Sequence, residues 1–108
     1  MVRTARRAAK APAEDMAKFL AHVPDENVFW PRDGRVFHNL QDLAEGLQTM
    51  SDETYRHHVN DTKNDFCNWV RDVIGDGRLV QDLMKARSAS QAARVVSERI
   101  SYLKKLAR

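Results

Sequence analysis

The chain has 108 residues, 43% hydrophobic and 31% charged, with four Gly, three Pro and a single Cys. That is the size of one small domain. No apolar run nears the roughly 18–20 residues of a membrane-spanning helix, and the N-terminus has no apolar stretch of the kind a secretory signal needs. The net charge of +3 hides a layout: four cations and no acid over residues 1–13, seven cations against fourteen acids over 14–84, and seven cations against one acid over 85–108.

Residues 1–13 carry Arg3, Arg6, Arg7 and Lys10 among small residues, with only Met1 and Val2 as sizeable apolar groups. So little apolar area cannot offset the entropy of ordering the segment, and a flexible basic arm is expected over residues 1–12. The segment also loosely resembles an organelle transit peptide, being Arg-rich and free of acids, although it is short and poor in Ser.

From Pro12 the pattern becomes helical. Glu14 and Asp15 suit a first turn, and Met16, Phe19, Leu20 and Val23 share a face, which predicts a short helix over about 13–22, closed by Pro24. Residues 28–37 hold two brief aromatic and β-branched stretches around Asp33-Gly34, and that pair supplies the positive φ of a tight hairpin. A small two-stranded ribbon is expected there, with Phe29, Trp30 and Phe37 as a lid over the core and Pro31 confining the first stretch to an edge.

Asn39 can cap a helix whose Leu40, Leu43, Ala44, Leu47 and Met50 form one stripe. Gly46 inside it costs about 1 kcal/mol against Ala and points to close packing. Ser51 caps the next helix, in which Tyr55, His58 and Val59 face inward. After a polar break at 60–64, Phe66, Trp69, Val70 and Val73 define a central buried helix, with Asn64 or Asp65 as its cap. Gly75 stops it, and Asp76 can cap a successor bearing Leu79, Val80, Leu83 and Met84. The last helix opens with the capping-box pattern Ser88-Ala89-Ser90-Gln91. Its Ala89, Ala93, Val96, Ile100, Leu103 and Ala107 repeat as an a/d seam, too short for an autonomous coiled coil. The seam either packs on the domain or pairs between two copies. The expected architecture is thus mainly α: a compact bundle of five or six short helices with a small ribbon, a single domain over residues 13–108 ending in a basic C-terminal helix.

The block Ser51-Asp52-Glu53-Thr54-Tyr55-Arg56-His57-His58-Val59-Asn60, followed by the Asn64-Asp65-Phe66-Cys67-Asn68-Trp69-Val70 run and the lead-in Asp33-Gly34-Arg35-Val36, resembles a small, functionally uncharacterised prokaryotic domain family frequent in archaea. The resemblance spans about residues 29–87, and the run at 64–76 is its most specific part. It implies a compact helical domain of cytoplasmic origin, in some members preceded by a basic arm. It brings no activity, cofactor or catalytic residue.

The two basic ends are the main functional signal. Arg3, Arg6, Arg7 and Lys10, with Arg87, Arg94, Lys104, Lys105 and Arg108 and also Lys85 and Arg99, offer cations to a polyanion. Phosphate neutralisation releases counterions, so such binding is non-specific in sequence and salt-sensitive. Arg87, Arg94, Lys105 and Arg108 avoid the apolar seam and can form a stripe, while Lys104 and Lys105 also suit a helix C-terminus through the dipole. The plainer reading of all these cations is a solvated surface.

The expected function is a non-catalytic, nucleic-acid-associated, chromatin-like protein that binds DNA or RNA through the phosphate backbone. The alternative is a protein–protein interaction module, a homo-oligomer through the C-terminal helix included.

His57, His58, Asp61, Asp65 and Cys67 superficially resemble metal ligands, but the polar break scatters them, so no metal and no cofactor is expected. There is no Gly-rich phosphate loop, nucleophile elbow or HExxH, and an enzyme is not expected. The lone Cys67 can form neither an internal disulfide nor a zinc cluster of usual spacing, and it reads as a small buried residue in a reducing, cytoplasmic setting.

Overall fold

Helix starts in this chain are set by side-chain oxygens that accept the orphan backbone N–H groups of a first turn. A computed structural model describes residues 16–107, and within it Asn39 accepts from Asp42 N–H, Ser51 from Thr54, Asn64 from Cys67, Asp76 from Leu79 and Ser88 from Gln91. These five caps open α1 (Leu40–Thr49), α2 (Asp52–His58), α3 (Asp65–Trp69), α4 (Gly77–Leu83) and α5 (Ala89–Ala107). At the last cap Gln91 Oε1 also reaches back, accepting the Arg87 N–H at 2.8 Å, one residue before the Ser88 N–H that a capping box engages.

The third helix does not end as an α-helix. Residues Val70–Ile74 continue it as a π-helical turn, and Gly75 N–H donates to Val70 O across five residues at 2.6 Å. Gly75 has φ 89°, a left-handed conformation that a side chain disfavours. The element is wider at its end than its apolar spacing implies, and Val73 and Ile74 are only half-buried.

The core is built mainly by α1 on α5, the most extensive helix pairing in the fold. Leu40, Leu43, Ala44 and Leu47 meet an α5 face of Ala89, Ala92, Ala93, Val96, Ile100 and Leu103, all buried. Three alanines near the start of α5 let the helices approach closely, and each fully buried Leu contributes about 1.5–3 kcal/mol. The α5 seam is therefore used inside the chain, and pairing two copies through it would require the domain to open. Where a helix over 13–22 was expected, the described part is a 3₁₀ turn at Ala17–Leu20, packed on α5 and α1.

The expected two-stranded ribbon is not formed. Among the described residues there is no strand, only an isolated antiparallel bridge between Phe29 and Phe37, with N–H···O distances of 3.1 and 2.9 Å. The backbone groups that a ladder would use are taken elsewhere. Gly34 N–H turns back to Pro31 O at 3.0 Å, Arg35 N–H goes to the Asp33 carboxylate at 3.1 Å, and Arg32 N–H goes to His58 Nε2 at 2.9 Å. Gly34, with φ 91°, closes a four-residue turn rather than a two-residue hairpin loop.

The loop is held by aromatic packing instead. Phe29 lies 5.2 Å from Phe66, 5.7 Å from Phe37 and 5.9 Å from Trp69 between ring centroids, within the range of favourable aromatic pairs. Trp30 is not part of this lid: it is 69% exposed. Along extended backbone neighbouring side chains point to opposite sides, so burying Phe29 turns Trp30 outward. The buried tryptophan is Trp69, whose indole N–H donates to Asn27 O at 2.8 Å. Phe37 in turn lies against Gly46, where its ring occupies the space a Cβ would need. Close packing thus requires glycine at this point in α1.

Candidate nucleic-acid interface

Arg3, Arg6, Arg7, Lys10 and Arg108 lie outside the described residues. Arg87, Arg94, Lys104 and Lys105 are all exposed. Arg94, Lys104 and Lys105 stand on α5, and its burial pattern shows why: the apolar residues take one side for the core, leaving these three on the rest. At about 100° per residue Arg94 and Lys105 are roughly 20° apart around the axis and about 16 Å apart along it. Glu98 falls between them on the same face, so the stripe is divided into two cationic patches.

Arg87 belongs to neither patch. It precedes the helix and lies in a separate groove of about 680 Å³ together with Asp52, Arg56 and Asp61. The structure therefore separates Arg87 from Arg94, and two carboxylates share its surroundings. Lys104 and Lys105 occupy the last turn of α5, where their charge also meets the negative end of the helix dipole.

Ion pairs hold some cations of the middle, while Arg32, Arg35 and Arg56 make none among the described residues. Lys63 pairs with Asp65, Arg71 with Asp72, and Arg78 with Asp82. Lys85, Arg87, Arg94, Lys104 and Lys105 make no ion pair among the described residues. Arg99 differs from these five. Its guanidinium forms a two-pronged bond to Asp76 at 2.7 and 2.9 Å, and Asp76 is 1% exposed. Arg99 is thus a structural cation, neutralised in place, and is removed from the set available to a polyanion.

A groove of about 640 Å³ runs between α4 and α5, lined by Arg78, Asp82 and Lys85 on one wall and by Arg94, Glu98 and Tyr102, among others, on the other. Tyr102 is 49% exposed, and the Arg99 guanidinium sits 5.2 Å from its ring centroid, a cation–π contact. Sequence reasoning missed Tyr102, although an Arg–Tyr pair three residues apart on a helix is a signal that could have found it.

The His58 cluster resolves as a structural joint. His58 is buried; its Nδ1 lies 3.0 Å from Asp65 Oδ2, and its Nε2 accepts the Arg32 N–H. The ring therefore carries its proton on Nδ1, and with both nitrogens engaged it has none left for a ligand. Burial works to raise the Asp65 carboxyl, but hydrogen bonds from His58 and Lys63 outweigh it and hold it below its ordinary value. Cys67 is buried with its Sγ–H near Val80 O, and desolvation, only partly offset by Arg71, pushes its thiol up to about 11. Among the described residues no group of three or more His, Cys, Asp and Glu is placed to hold a metal ion, and no helix is long and apolar enough to cross a membrane.

No protein-family model, curated protein or solved structure matches the chain.

Proposed function

We propose that the chain is a non-catalytic, nucleic-acid-associated protein, chromatin-like in that it holds the phosphate backbone electrostatically. The observation that carries this reading is the set of exposed cations Lys85, Arg94, Lys104 and Lys105, which make no ion pair among the described residues and stand in a segment whose one acid is Glu98. Cations left without a carboxylate partner retain the free energy of counterion release for a polyanion. Arg3, Arg6, Arg7, Lys10 and Arg108 would add to the same field. The setting we propose is cytoplasmic, in keeping with a single, buried, free Cys67, and the family resembled through residues 64–76 imposes no competing activity.

The test is a fluorescence-anisotropy titration of labelled DNA and RNA over a salt series, with the full chain, a chain lacking residues 1–12, and a K104Q/K105Q chain. Binding should weaken linearly in log–log terms as salt rises, with a slope of about −0.9 per phosphate neutralised on a duplex. Each Lys removed should make that slope shallower by about one. Absence of binding at low salt overturns the reading. Equal binding by the truncated chain assigns the interface to α5.

A further inference from the structure

The groove between α4 and α5 joins two features a phosphate-binding surface alone does not need. One is a half-exposed aromatic ring, Tyr102, set in the wall of the groove. The other is the apparatus that fixes it. Asp76 caps α4 through Leu79 N–H, pairs two-pronged with Arg99, and Arg99 lies over the Tyr102 ring. A ring already ordered by a buried ion pair loses little freedom when a flat ligand stacks on it. Tyr102 and Arg99 both line the groove.

We infer that this groove is a subsite for single-stranded nucleic acid, in which an unpaired base stacks on Tyr102 and a neighbouring phosphate meets Arg94 and Lys85. This rests on the polyanion reading above and names its ligand class. Bases in a duplex are already stacked on each other, so a protruding aromatic side chain gives a duplex nothing, whereas an unpaired base has a free face.

The charges fit that arrangement. Arg78 is held by Asp82 and Arg99 by Asp76, which leaves Lys85 and Arg94 as the groove's cations without an ion pair among the described residues. Both belong to the end of the groove away from Tyr102. Arg94 and Tyr102 are eight residues apart, about 12 Å along α5, further than a base lies from its own phosphate. A strand engaging both therefore contributes at least two nucleotides. Glu98 lies between them in the wall, where a carboxylate disfavours a phosphate and accepts hydrogen bonds from base amino groups.

The experiment compares three probes of equal length with the full chain at low salt: an oligothymidylate, an abasic single strand and a duplex. Stacking should make the oligothymidylate bind about tenfold tighter than the abasic strand. Tyr102→Ala should erase that ratio, Tyr102→Phe should keep it, and duplex binding should be unchanged by either. The probe comparison uses the unaltered protein, so equal binding overturns the inference even if a variant folds poorly. Equal binding of oligothymidylate and abasic strand overturns the inference while leaving the electrostatic reading standing. Loss of the ratio in Trp30→Ala instead of Tyr102→Ala overturns it too, by assigning stacking to the other exposed aromatic. Failure of all three probes to bind overturns both readings.

Discussion

Removing Arg99 tests whether α4 and α5 are joined by a buried ion pair. Asp76 is 1% exposed, receives the guanidinium at 2.7 and 2.9 Å, and otherwise accepts only the Leu79 N–H at 3.2 Å. Stranding one partner of such a pair costs about 3–5 kcal/mol. The Arg99 side chain is itself 12% exposed, so water reaches the vacated end and the low limit, about 3 kcal/mol, applies to Arg99→Ala. For a domain of this size each kcal/mol moves Tm by about 4–8 °C, which predicts a fall of about 12–24 °C by circular dichroism.

Asp76→Ala should cost less, about 2 kcal/mol, because the freed Arg99 can turn to solvent and the cap is worth about 1 kcal/mol. Both substitutions break the Asp76–Arg99 bonds, and the double variant, though it also loses the Leu79 cap, no longer strands a buried carboxylate. The double variant should therefore be no less stable than Arg99→Ala alone, a coupling of about 2 kcal/mol. Arg78→Ala is the internal control, since its pair with Asp82 at 3.3 Å is exposed and should be worth about 0.5 kcal/mol or less. Additive single effects, or an Arg99→Ala loss as small as that of Arg78→Ala, would refute the reasoning.

Gly46→Ala should destabilise the domain by about 1–2 kcal/mol, because overpacking against the buried Phe37 ring outweighs the helix-propensity gain; a raised Tm in thermal melts would show that the ring has room to move. Asp65 is held below the ordinary carboxylate value when folded, by hydrogen bonds from His58 and Lys63 that outweigh its burial, so its contribution is complete above about pH 5 and is lost as pH falls through the depressed value. The stability difference between wild type and Asp65→Asn should accordingly hold steady above about pH 5 and narrow from there to about pH 3 in urea titrations, and a constant difference would count against it. Cys67, its thiol pushed up to about 11 by burial, should react with iodoacetamide at about pH 8 only as fast as the domain opens; labelling at a free-thiol rate would contradict its placement.

What could be seen in the sequence was what depends on neighbours in the chain. The caps at Asn39, Ser51, Asn64, Asp76 and Ser88 each act on an N–H three residues ahead, so residue type and local apolar spacing were enough to find them. The α1 and α5 stripes were legible for the same reason. The Asp76–Arg99 pair spans 23 residues, and no local pattern shows that one cation of a basic helix is neutralised by a distant buried carboxylate. The 28–37 segment was misjudged because turn chemistry around Asp33-Gly34 is local, whereas the acceptor of Arg32 N–H, His58, lies 26 residues away. In the candidate interface the cations were legible as a cluster. Their division by Glu98, and the withdrawal of Arg87 into the groove with Asp52 and Asp61, depend on how the helices pack.

The opposite burial of the two tryptophans gives the molecule two separate optical reporters. Trp69, 7% exposed and hydrogen-bonded to Asn27, emits from an apolar surrounding and shifts to the red only when the aromatic core opens. Trp30, at 69% exposed, emits from water and is open to iodide quenching in the native state. A Trp30→Phe chain would thus report the folding of the core alone, and iodide quenching of the unaltered chain would follow anything that settles over the 28–37 loop.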